Sequence, residues 1–231
     1  MNIAIIPARG GSKRIPRKNI KIFHGKPMLV WSIETAIKSQ RFEKIVVSSD
    51  DHEILEIAQK YEVFPLLRET KLADDETPTF PVVSEAIRAC INLGWEFDFA
   101  CCIYPCAPFT TAEDLRSALD LLAETNSNFL YPICTYSHPI QRALRLSSNG
   151  VVSFVDKSFE LSRTQDLEVN YYDAGQFYWG RKSAWLKEGG MHSGAVGMIF
   201  PSWRFVDIDS LEDWRRAEII FPVLRNLFDK Y

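Results

Sequence analysis

The segment 2–20 reads NIAIIPARGGSKRIPRKNI and joins a short apolar run directly to a glycine pair and a cluster of cations. Residues 2–7 show no alternation of polar and apolar side chains, which is typical of a strand buried on both faces. Strands of this kind belong to parallel sheets that helices cover on both sides. Because Pro16 prevents an ordinary helix from beginning directly after Lys13, an extended loop is expected over residues 8–19. The opening segment therefore predicts an α/β protein with a cationic loop behind its first strand.

Strand-like and helix-like patterns alternate along the chain after this opening. The further strand candidates are residues 44–48, 97–104 and 129–134. The helix candidates are residues 28–39, 51–60, 80–93 and 112–124. Because strands that alternate with helices pair in parallel through crossover connections, this order predicts a mostly parallel sheet with helices on both faces. With 231 residues, the chain suits one such domain over residues 1–231.

The segment RALRLSSNGVVSFV at residues 142–155 departs from this rhythm. It predicts two short strands joined at Asn149-Gly150, because that dipeptide favours a tight hairpin turn. An isolated two-stranded hairpin is only marginally stable in water, so its apolar side chains need a surface from this domain, as a flap, or from a second subunit. These side chains are Leu144, Leu146, Val151 and Phe154. We therefore interpret this segment as an excursion from the sheet.

The segment VDIDSLEDW at residues 206–214 combines two aspartates with the start of a last helix. Ser210 and Asp213 have the spacing of a capping box, which predicts that the helix begins at Ser210. If the residues before it form a strand end, Asp207 and Asp209 share one face and suit one hard divalent cation. The spacing leaves open the alternative that both aspartates only end the strand and help to start the helix. The expected apolar contacts of this helix are Leu211, Trp214, Ile219, Phe221 and Leu224.

Composition sets the expected environment of the protein. The formal net charge is −3 and the isoelectric point is near 5.9, so no global positive field favours nucleic acid or an anionic membrane surface. No apolar run approaches the roughly 20 residues that span a bilayer, and the first residues lack the pattern of a secretory leader. The five cysteines, odd in number, are interpreted as buried reduced thiols. We expect a cytoplasmic protein that binds neither nucleic acid nor membrane.

The cationic loop has the chemistry of a phosphate site. A loop after the first strand of a parallel sheet emerges at the carboxyl edge, where such folds bind ligands. Gly10 and Gly11 leave backbone amides accessible to an anion, and Ser12 adds a hydroxyl donor. The spacing fits neither G-x-x-x-x-G-K-[ST] nor G-x-G-x-x-G, which disfavours nucleotide kinases and dinucleotide-binding folds. The positive charge for several phosphates comes from Arg9, Lys13 and Lys18.

Several motifs follow one another in a characteristic order along most of the chain. They read PARGGSKRIPRKN, GKPML, IVVSSDD, LLRETKLADDETPT, YPCAPF, SRTQDL, YYDAGQFYW and VDIDSLEDWRRAE. Together they resemble the signature motifs of the cytidylyltransferases that activate nonulosonic acids as CMP-sugars. Within this family, SRTQDL and YDAGQFYW resemble the pseudaminic acid branch. The resemblance implies a Rossmann-type fold like that of nucleotide-diphospho-sugar transferases, with a protruding β-hairpin arm near residues 136–172 that joins two subunits.

The resemblance also implies an activity. The anomeric hydroxyl of a nonulosonic acid would attack the α-phosphate of CTP in the presence of Mg²⁺ or Mn²⁺, giving a CMP-sugar and pyrophosphate. Pseudaminic acid is the expected sugar, with legionaminic acid, sialic acid and Kdo as alternatives. Two other functions remain open, a nucleotidyltransferase acting on a sugar 1-phosphate and a nucleotide-binding module without catalysis. The implied partners are CTP, the sugar and a second copy of the chain, in glycan biosynthesis such as flagellin glycosylation.

The family roles in nucleotide binding and catalysis are carried over to residues of these motifs. Arg9 and Lys13 are implied to act in catalysis together with Asp207 and Asp209, which are implied to hold the metal ion. For this aspartate pair, the order of the motifs favours the metal role over the purely structural one. The residues implied to bind the nucleotide are Ala8, Arg9, Gly10, Gly11, Ser12, Lys13, Lys18, Asn19, Arg68, Asp75 and Thr77.

The family roles in sugar binding are carried over in the same way. A guanidinium binds a carboxylate through two parallel hydrogen bonds, so Arg163 suits the carboxylate of the sugar. The alternative for Arg163 is a surface ion pair with Asp166. Tyr104 is a departure, because many sialic acid synthetases have a sugar-contacting glutamine there, and it favours a different nonulosonic acid. The residues implied to bind the sugar are Tyr104, Arg163, Asp173, Gln176, Phe177 and Tyr178.

Overall fold

The computed structural model of the chain describes residues 1–72, 77–192 and 194–228. Its strands are β1 (Asn2–Pro7), β2 (Ile22–Phe23), β3 (Lys26–Pro27), β4 (Lys44–Ser49), β5 (Phe64–Leu67), β6 (Phe99–Ile103), β7 (Phe129–Thr135), β8 (Leu144–Leu146), β9 (Val152–Phe154), β10 (Tyr171–Asp173), β11 (Phe177–Arg181) and β12 (Val196–Phe200). Its helices are α1 (Met28–Ser39), α2 (His52–Lys60), α3 (Thr79–Asn92), α4 (Ala112–Ala123), α5 (Lys182–Trp185) and α6 (Leu211–Phe228). The predicted strands and helices are confirmed, with small differences at their ends.

The main sheet has the strand order β10-β7-β11-β6-β1-β4-β5, and β12 pairs with β7. β1 pairs in parallel with β4 and β6, β4 pairs in parallel with β5, and β7 pairs in parallel with β12. The prediction of a mostly parallel sheet is therefore confirmed, but β10 and β11 run antiparallel to their neighbours. The sequence analysis assigned no strand to either of them. They follow the arm rather than a crossover helix, and a chain that returns without a crossover enters a sheet antiparallel.

β1 lies inside the sheet, which explains its continuous apolar sequence. Ala4 and Ile6 face the core shared with α1, α2 and α4. Ile3 and Ile5 face the core shared with α3 and α5. Helices therefore cover both faces of the sheet, as predicted. Because β1 lies between β4 and β6, the loop that follows it emerges in the middle of the carboxyl edge.

α6 begins as its sequence predicted but buries fewer residues than expected. The amide of Ser210 donates to Asp213 Oδ2 over 2.8 Å, and the amide of Asp213 donates to Ser210 Oγ over 3.2 Å, so the capping box is confirmed. The predicted contacts of Leu211 and Ile219 are wrong, because these side chains are 52% and 74% exposed on the solvent side. The predicted contacts that are buried are Trp214, Phe221 and Leu224.

The hairpin predicted at Asn149-Gly150 is confirmed as β8 and β9, which among the described strands pair only with each other. We call residues 136–170 the arm, since β10 begins at residue 171 and joins the main sheet. Leu144, Leu146 and Val151 are 59%, 70% and 60% exposed. The described part of the chain therefore leaves the arm's apolar side chains largely uncovered, which argues against a flap packed on its own subunit.

Two further features concern the thiols and the helices. The cysteines are free thiols, and four of the five are buried, in agreement with the sequence analysis. Cys106 is only partly buried because it borders a cavity. Among the helices that the structure describes, none is long and apolar enough to cross a membrane.

Candidate functional site

A cavity of about 690 Å³ opens at the carboxyl edge of the sheet, beside the loop that follows β1. This volume is ordinary for a small-molecule site. The cavity is lined by Pro7, Arg9, Ser12, Lys13, Arg14, Lys18, Asn19, Arg68, Leu72, Thr77, Thr79, Val82, Tyr104, Pro105, Cys106, Gly175, Asp207, Ile208 and Asp209. The structure thus brings together most of the residues that the sequence predicts for the nucleotide and the metal ion.

Every residue of the cationic loop (residues 8–19) is described, and none lies in a helix, as predicted. Ile15 is fully buried in the apolar cluster beneath α6 and anchors the middle of the loop. Asn19 Nδ2 donates to the carbonyl of Arg9 over 2.8 Å, while Cys106 Sγ donates to Asn19 Oδ1 over 3.2 Å. The first contact joins the two ends of the loop, and the second ties Asn19 to the segment that follows β6. Its cations are therefore presented to the cavity by a fixed backbone.

Ala8, Gly10 and Gly11 are not among the residues that line the cavity, so their contact with the nucleotide stays a prediction. Ala8 is fully buried, and its amide extends the sheet by donating to a carbonyl of β4 over 2.9 Å. The amide of Gly10 donates to Asp50 Oδ1 over 3.0 Å and is not directed at an external anion. A Cβ at Gly10 would lie 2.8 Å from Asp51 Cβ, so glycine here permits the loop to approach the end of β4.

Arg68 lines the cavity although only 5% of its surface is exposed. Its Nη2 donates to the carbonyl of Ser48 over 2.6 Å, and its Nε donates to Ser48 Oγ over 3.2 Å. Burial lowers the pKa of Arg68, and the Asp50 carboxylate opposes that shift. Arginine nevertheless remains protonated in proteins. Ser48 therefore fixes a permanent cation in the wall of the cavity.

Asp207 and Asp209 line the cavity from the segment that precedes α6. This segment, residues 201–209, is described throughout and contains no strand, so the condition that the aspartates lie at a strand end is not met. Ile208 is nevertheless 1% exposed and packs in the cluster beneath α6, as its alternation with the aspartates predicted. An extended chain directs alternate side chains to opposite sides. Burial of Ile208 therefore places both flanking carboxylates at the cavity.

The charges at this aspartate pair fit a divalent cation. Desolvation and the Asp209 carboxylate raise the pKa of Asp207, while the Lys18 ammonium opposes this shift. A Cβ at Gly175 would lie 3.4 Å from Asp207 Cγ, so glycine leaves space beside this carboxylate. Among the described residues, no three His, Cys, Asp or Glu side chains converge on one metal position. A Mg²⁺ or Mn²⁺ ion held here would therefore draw its other ligands from water and phosphate.

Of the residues predicted for the sugar, Tyr104 lines the cavity, and Asp173 contacts a residue that lines it. The hydroxyl of Tyr104 lies 3.0 Å from Thr79 Oγ1, and burial raises the pKa of Tyr104 to about 12. Asp173 does not line the cavity, but its Oδ1 accepts from the amide of Gly175, which does, over 2.9 Å. The Tyr178 hydroxyl donates to Asp173 Oδ2 over 2.8 Å, and burial raises the pKa of Tyr178. Tyr178 thus acts by orienting Asp173 rather than by lining the cavity.

Besides Asp173 and Tyr178, three further residues predicted for the sugar do not line the cavity in this chain. Gln176 and Phe177 are 0% exposed, so their predicted contact with the sugar is wrong. Gln176 Nε2 donates to the carbonyls of the two preceding residues, while Phe177 packs in the core against α1 and α4. Arg163 lies in the arm with 72% of its side chain exposed, and its Nε lies 2.7 Å from Asp166 Oδ2. Within one chain, Arg163 therefore forms a surface ion pair with Asp166, which was the alternative to binding the carboxylate of the sugar.

Some residues of the site escaped the sequence analysis. Arg14, Thr79 and Cys106 line the cavity without having been predicted. Arg14 could have been found from its place in the cationic loop, and the other two lie where α3 begins and just after β6 ends, at the same edge of the sheet. Thr77 lines the cavity as predicted, whereas Asp75 lies outside the described residues.

Comparisons with known proteins show the family to which the chain belongs. The family model described as cytidylyltransferase matches residues 3–194. A pseudaminic acid cytidylyltransferase of Campylobacter jejuni subsp. jejuni serotype O:2 is 41% identical over 96% of this chain and 97% of its own length. The pseudaminic acid cytidylyltransferase and UDP-2,4-diacetamido-2,4,6-trideoxy-beta-L-altropyranose hydrolase of Helicobacter pylori is 36% identical over 79% of this chain and 35% of its own.

A solved structure has the same fold. The CMP:2-keto-3-deoxy-manno-octonic acid synthetase complexed with CTP matches with a TM-score of 0.70, covering 96% of this chain and 98% of that one at 14% identity. At this identity the match concerns the fold alone, and it agrees with the Rossmann-type fold expected from the sequence. The identity to the Campylobacter protein and the family model carry the classification. The chain belongs to the cytidylyltransferase family and is a nucleotidyltransferase.

Proposed function

We propose that this enzyme transfers CMP from CTP to the anomeric hydroxyl of a nonulosonic acid, with pseudaminic acid as the sugar. The observation that carries the proposal is one cavity whose lining includes both the cations Arg9, Lys13 and Arg68 and the carboxylates Asp207 and Asp209. Cations suit a triphosphate, and a carboxylate pair suits its divalent ion. The 41% identity to a pseudaminic acid cytidylyltransferase supports the choice of sugar.

The reaction places its main demand on charge stabilisation. The anomeric oxygen forms a bond to the α-phosphorus of CTP, the bond from that phosphorus to the bridging oxygen breaks, and the hydroxyl proton is lost. Negative charge moves to the departing pyrophosphate. Arg9, Lys13 and Lys18 offset this charge, and their fixed loop limits reorganisation during the reaction. Asn19 and Thr77 border the same cavity and serve the nucleoside together with Arg68.

A magnesium or manganese ion is part of this proposal. Asp207 and Asp209 would hold it, for the reasons of charge and space given above. When bound, the ion would act as a Lewis acid that neutralises phosphate charge. The residues of the chain then keep CTP in place and direct its α-phosphate toward the sugar.

The sugar site is completed by a second subunit in this proposal. Tyr104 and Asp173 belong to the chain that binds CTP, but Arg163 stands exposed on the arm. The exposed apolar side chains of the arm need a partner surface. A two-fold homodimer in which each arm crosses to the other subunit meets this need and carries Arg163 to the carboxylate of the partner's sugar.

The remaining expectations fit the same function. We place the enzyme in the cytoplasm, as one domain over residues 1–231, where CTP is available to it. The CMP-sugar product is an activated donor for glycan biosynthesis, with flagellin glycosylation as one destination.

The proposal is tested by a substrate panel. Purified enzyme with CTP and Mg²⁺ is given pseudaminic, legionaminic or sialic acid, Kdo, or a sugar 1-phosphate, and pyrophosphate release is measured alongside mass spectrometry of the CMP-sugar. We expect the highest kcat/KM with pseudaminic acid and no release when the sugar or the metal ion is omitted. Turnover of sugar 1-phosphates alone would replace the proposal with the second enzyme class. Binding of CTP without turnover of any sugar would favour a non-catalytic module.

A further inference from the structure

Arg14 lines the cavity at a position where its guanidinium competes with a divalent ion for the carboxylate of Asp209. Its Nη2 lies 2.9 Å from Asp209 Oδ1, and Lys18 Nζ lies 3.4 Å from the same oxygen. Asp209 is also one of the two carboxylates that suit the divalent ion. An ion bound there must share or take an oxygen that two cations already contact. Like charges at such short separations repel strongly, so one of the cations has to move.

Arg14 and Lys18 differ in how firmly they are held. The side chain of Lys18 is 20% exposed, and its Nζ also donates to the carbonyl of Ile208 over 2.6 Å. The side chain of Arg14 is 68% exposed, and among the described residues Asp209 is its only hydrogen-bonding or ion-pair partner. An exposed ion pair of this kind is weak. Arg14 is therefore the cation that a divalent ion displaces.

The displaced guanidinium has a second anion within the same cavity. Arg14 directly follows Ser12 and Lys13, which line the cavity at its predicted phosphate side. A guanidinium matches the geometry of phosphate oxygens and forms charge-assisted hydrogen bonds with them. A bound triphosphate therefore offers Arg14 a partner in place of Asp209.

We propose that Arg14 exchanges partners during binding. It neutralises Asp209 in the nucleotide-free enzyme, yields that carboxylate to the divalent ion and then binds the phosphates of CTP. This inference rests on the proposed function, because it needs both the ion and the triphosphate. Its consequence is a coupling between two ligands: an ion alone expels Arg14 into solvent, whereas an ion with CTP gives Arg14 a new anion.

The test compares the wild type with Arg14→Gln, with and without nucleotide. Mn²⁺ binding to the nucleotide-free protein is followed by electron paramagnetic resonance, and binding of preformed Mn²⁺·CTP by calorimetry in the absence of sugar. We expect Arg14→Gln to bind Mn²⁺ alone about two- to fivefold more tightly, because a competitor is removed. It should bind Mn²⁺·CTP about tenfold more weakly, because a phosphate contact is lost.

Two further variants serve as references. Arg41→Gln removes the same charge from a surface pair with Asp120, 3.0 Å away, and should change neither affinity. Arg14→Lys keeps the charge and should show smaller changes of the same signs as Arg14→Gln. A merely structural role of Arg14 would weaken both affinities together.

The outcomes separate the exchange from the proposed function. Unchanged or weaker Mn²⁺ binding by nucleotide-free Arg14→Gln overturns the exchange, and so does an unchanged affinity for Mn²⁺·CTP, even when the wild type turns over normally. If the wild type neither binds Mn²⁺·CTP nor releases pyrophosphate with any sugar, the proposed function fails and the exchange fails with it.

Discussion

The cavity and the arm differ in how far their own chain completes them. In the cavity, Asn19 ties the cationic loop to itself and Ser48 holds Arg68, so the polar groups have defined partners within the subunit. In the arm, Leu146 is 70% exposed and Leu161 is 96% exposed. The one predicted sugar ligand there, Arg163, pairs only with its neighbour three residues away among the described residues.

This difference separates the binding steps that one chain can perform by itself from those that need a second chain. A site with internal partners is preorganised, because its groups are held before the ligand arrives. A segment with exposed apolar side chains and a solvent-facing arginine has neither the burial nor the partners that fix a site. We therefore assign nucleotide binding to the single chain and recognition of the sugar carboxylate to the dimer that we propose.

The largest expected loss of activity comes from a substitution in the cavity. Lys13→Ala should lower kcat/KM by about 100- to 1000-fold, because a cation that offsets developing phosphate charge is removed. The melting temperature should stay close to that of the wild type, since Lys13 belongs to a loop and not to the core. Lys60→Ala, at the exposed end of α2, is the control and should keep full activity. Near-normal turnover by Lys13→Ala would contradict the role given to the loop.

The aspartate pair gives the next effect. Asp209→Asn keeps the shape of the side chain but removes its charge, so turnover should fall by about 10- to 100-fold and recover partly at raised Mg²⁺. Steady-state rates over a magnesium titration measure this. Asp120→Asn, in a surface ion pair with Arg41, is the matched control. An unchanged magnesium dependence in Asp209→Asn would reduce the aspartate to a structural role.

Mixing Lys13→Ala subunits with Arg163→Ala subunits shows whether Arg163 on the arm serves the site of its own chain or that of the partner. Lys13→Ala should be nearly inactive and Arg163→Ala about tenfold less active than the wild type, since each variant loses one cation that contacts a substrate. If Arg163 serves the partner's site, a hybrid dimer contains one intact site, and random reassociation restores about 25% of wild-type activity. Mixed and unmixed samples are assayed after partial denaturation and refolding. Absence of recovery in verified hybrid dimers would place Arg163 within its own subunit.

Disruption of the arm should give a smaller effect. Leu144 and Phe154 are opposite each other in the hairpin, and replacing both by aspartate should produce monomers in light scattering. Turnover of the sugar should fall about tenfold, because the carboxylate loses its anchor. Ile219→Asp adds a charge at a site on α6 that is 74% exposed, and it should remain dimeric. A folded, dimeric double variant would show that the arm does not form the interface.

The smallest predicted effect is on the stability of the fold, which the ionised carboxylate of Asp207 lowers. Desolvation raises the pKa of Asp207 in the fold, so its ionised form is disfavoured there and costs stability above that pKa. Asp207→Asn should therefore raise the melting temperature of the metal-free protein by about 1–3 °C at pH 7. The difference from the wild type should narrow as the pH falls through the raised pKa, because Asp207 becomes neutral in both states. A lower melting temperature for the variant would contradict this sign.

Parts of the fold and of the site could be predicted because they depend on residues close in sequence. The strands, the helices and the hairpin turn follow from periodicity, capping and turn chemistry. Gln176 and Phe177 could not be judged in this way. The sequence pattern is the same whether an aromatic or amide side chain in a motif faces a ligand or the core. Only the packing of β11 against neighbouring elements determines which way these side chains face.

The sequence by itself determined that β1 is buried on both faces, that a cationic loop follows it and that α6 begins at a capping box. These features need only the order of neighbouring residues, because local sterics and hydrogen bonds specify them. Only the tertiary structure decided that Asp50 takes the amide of Gly10 and that Arg14 pairs with Asp209. Such contacts join segments far apart in the chain, and their geometry exists only after the strands and helices have packed around one core.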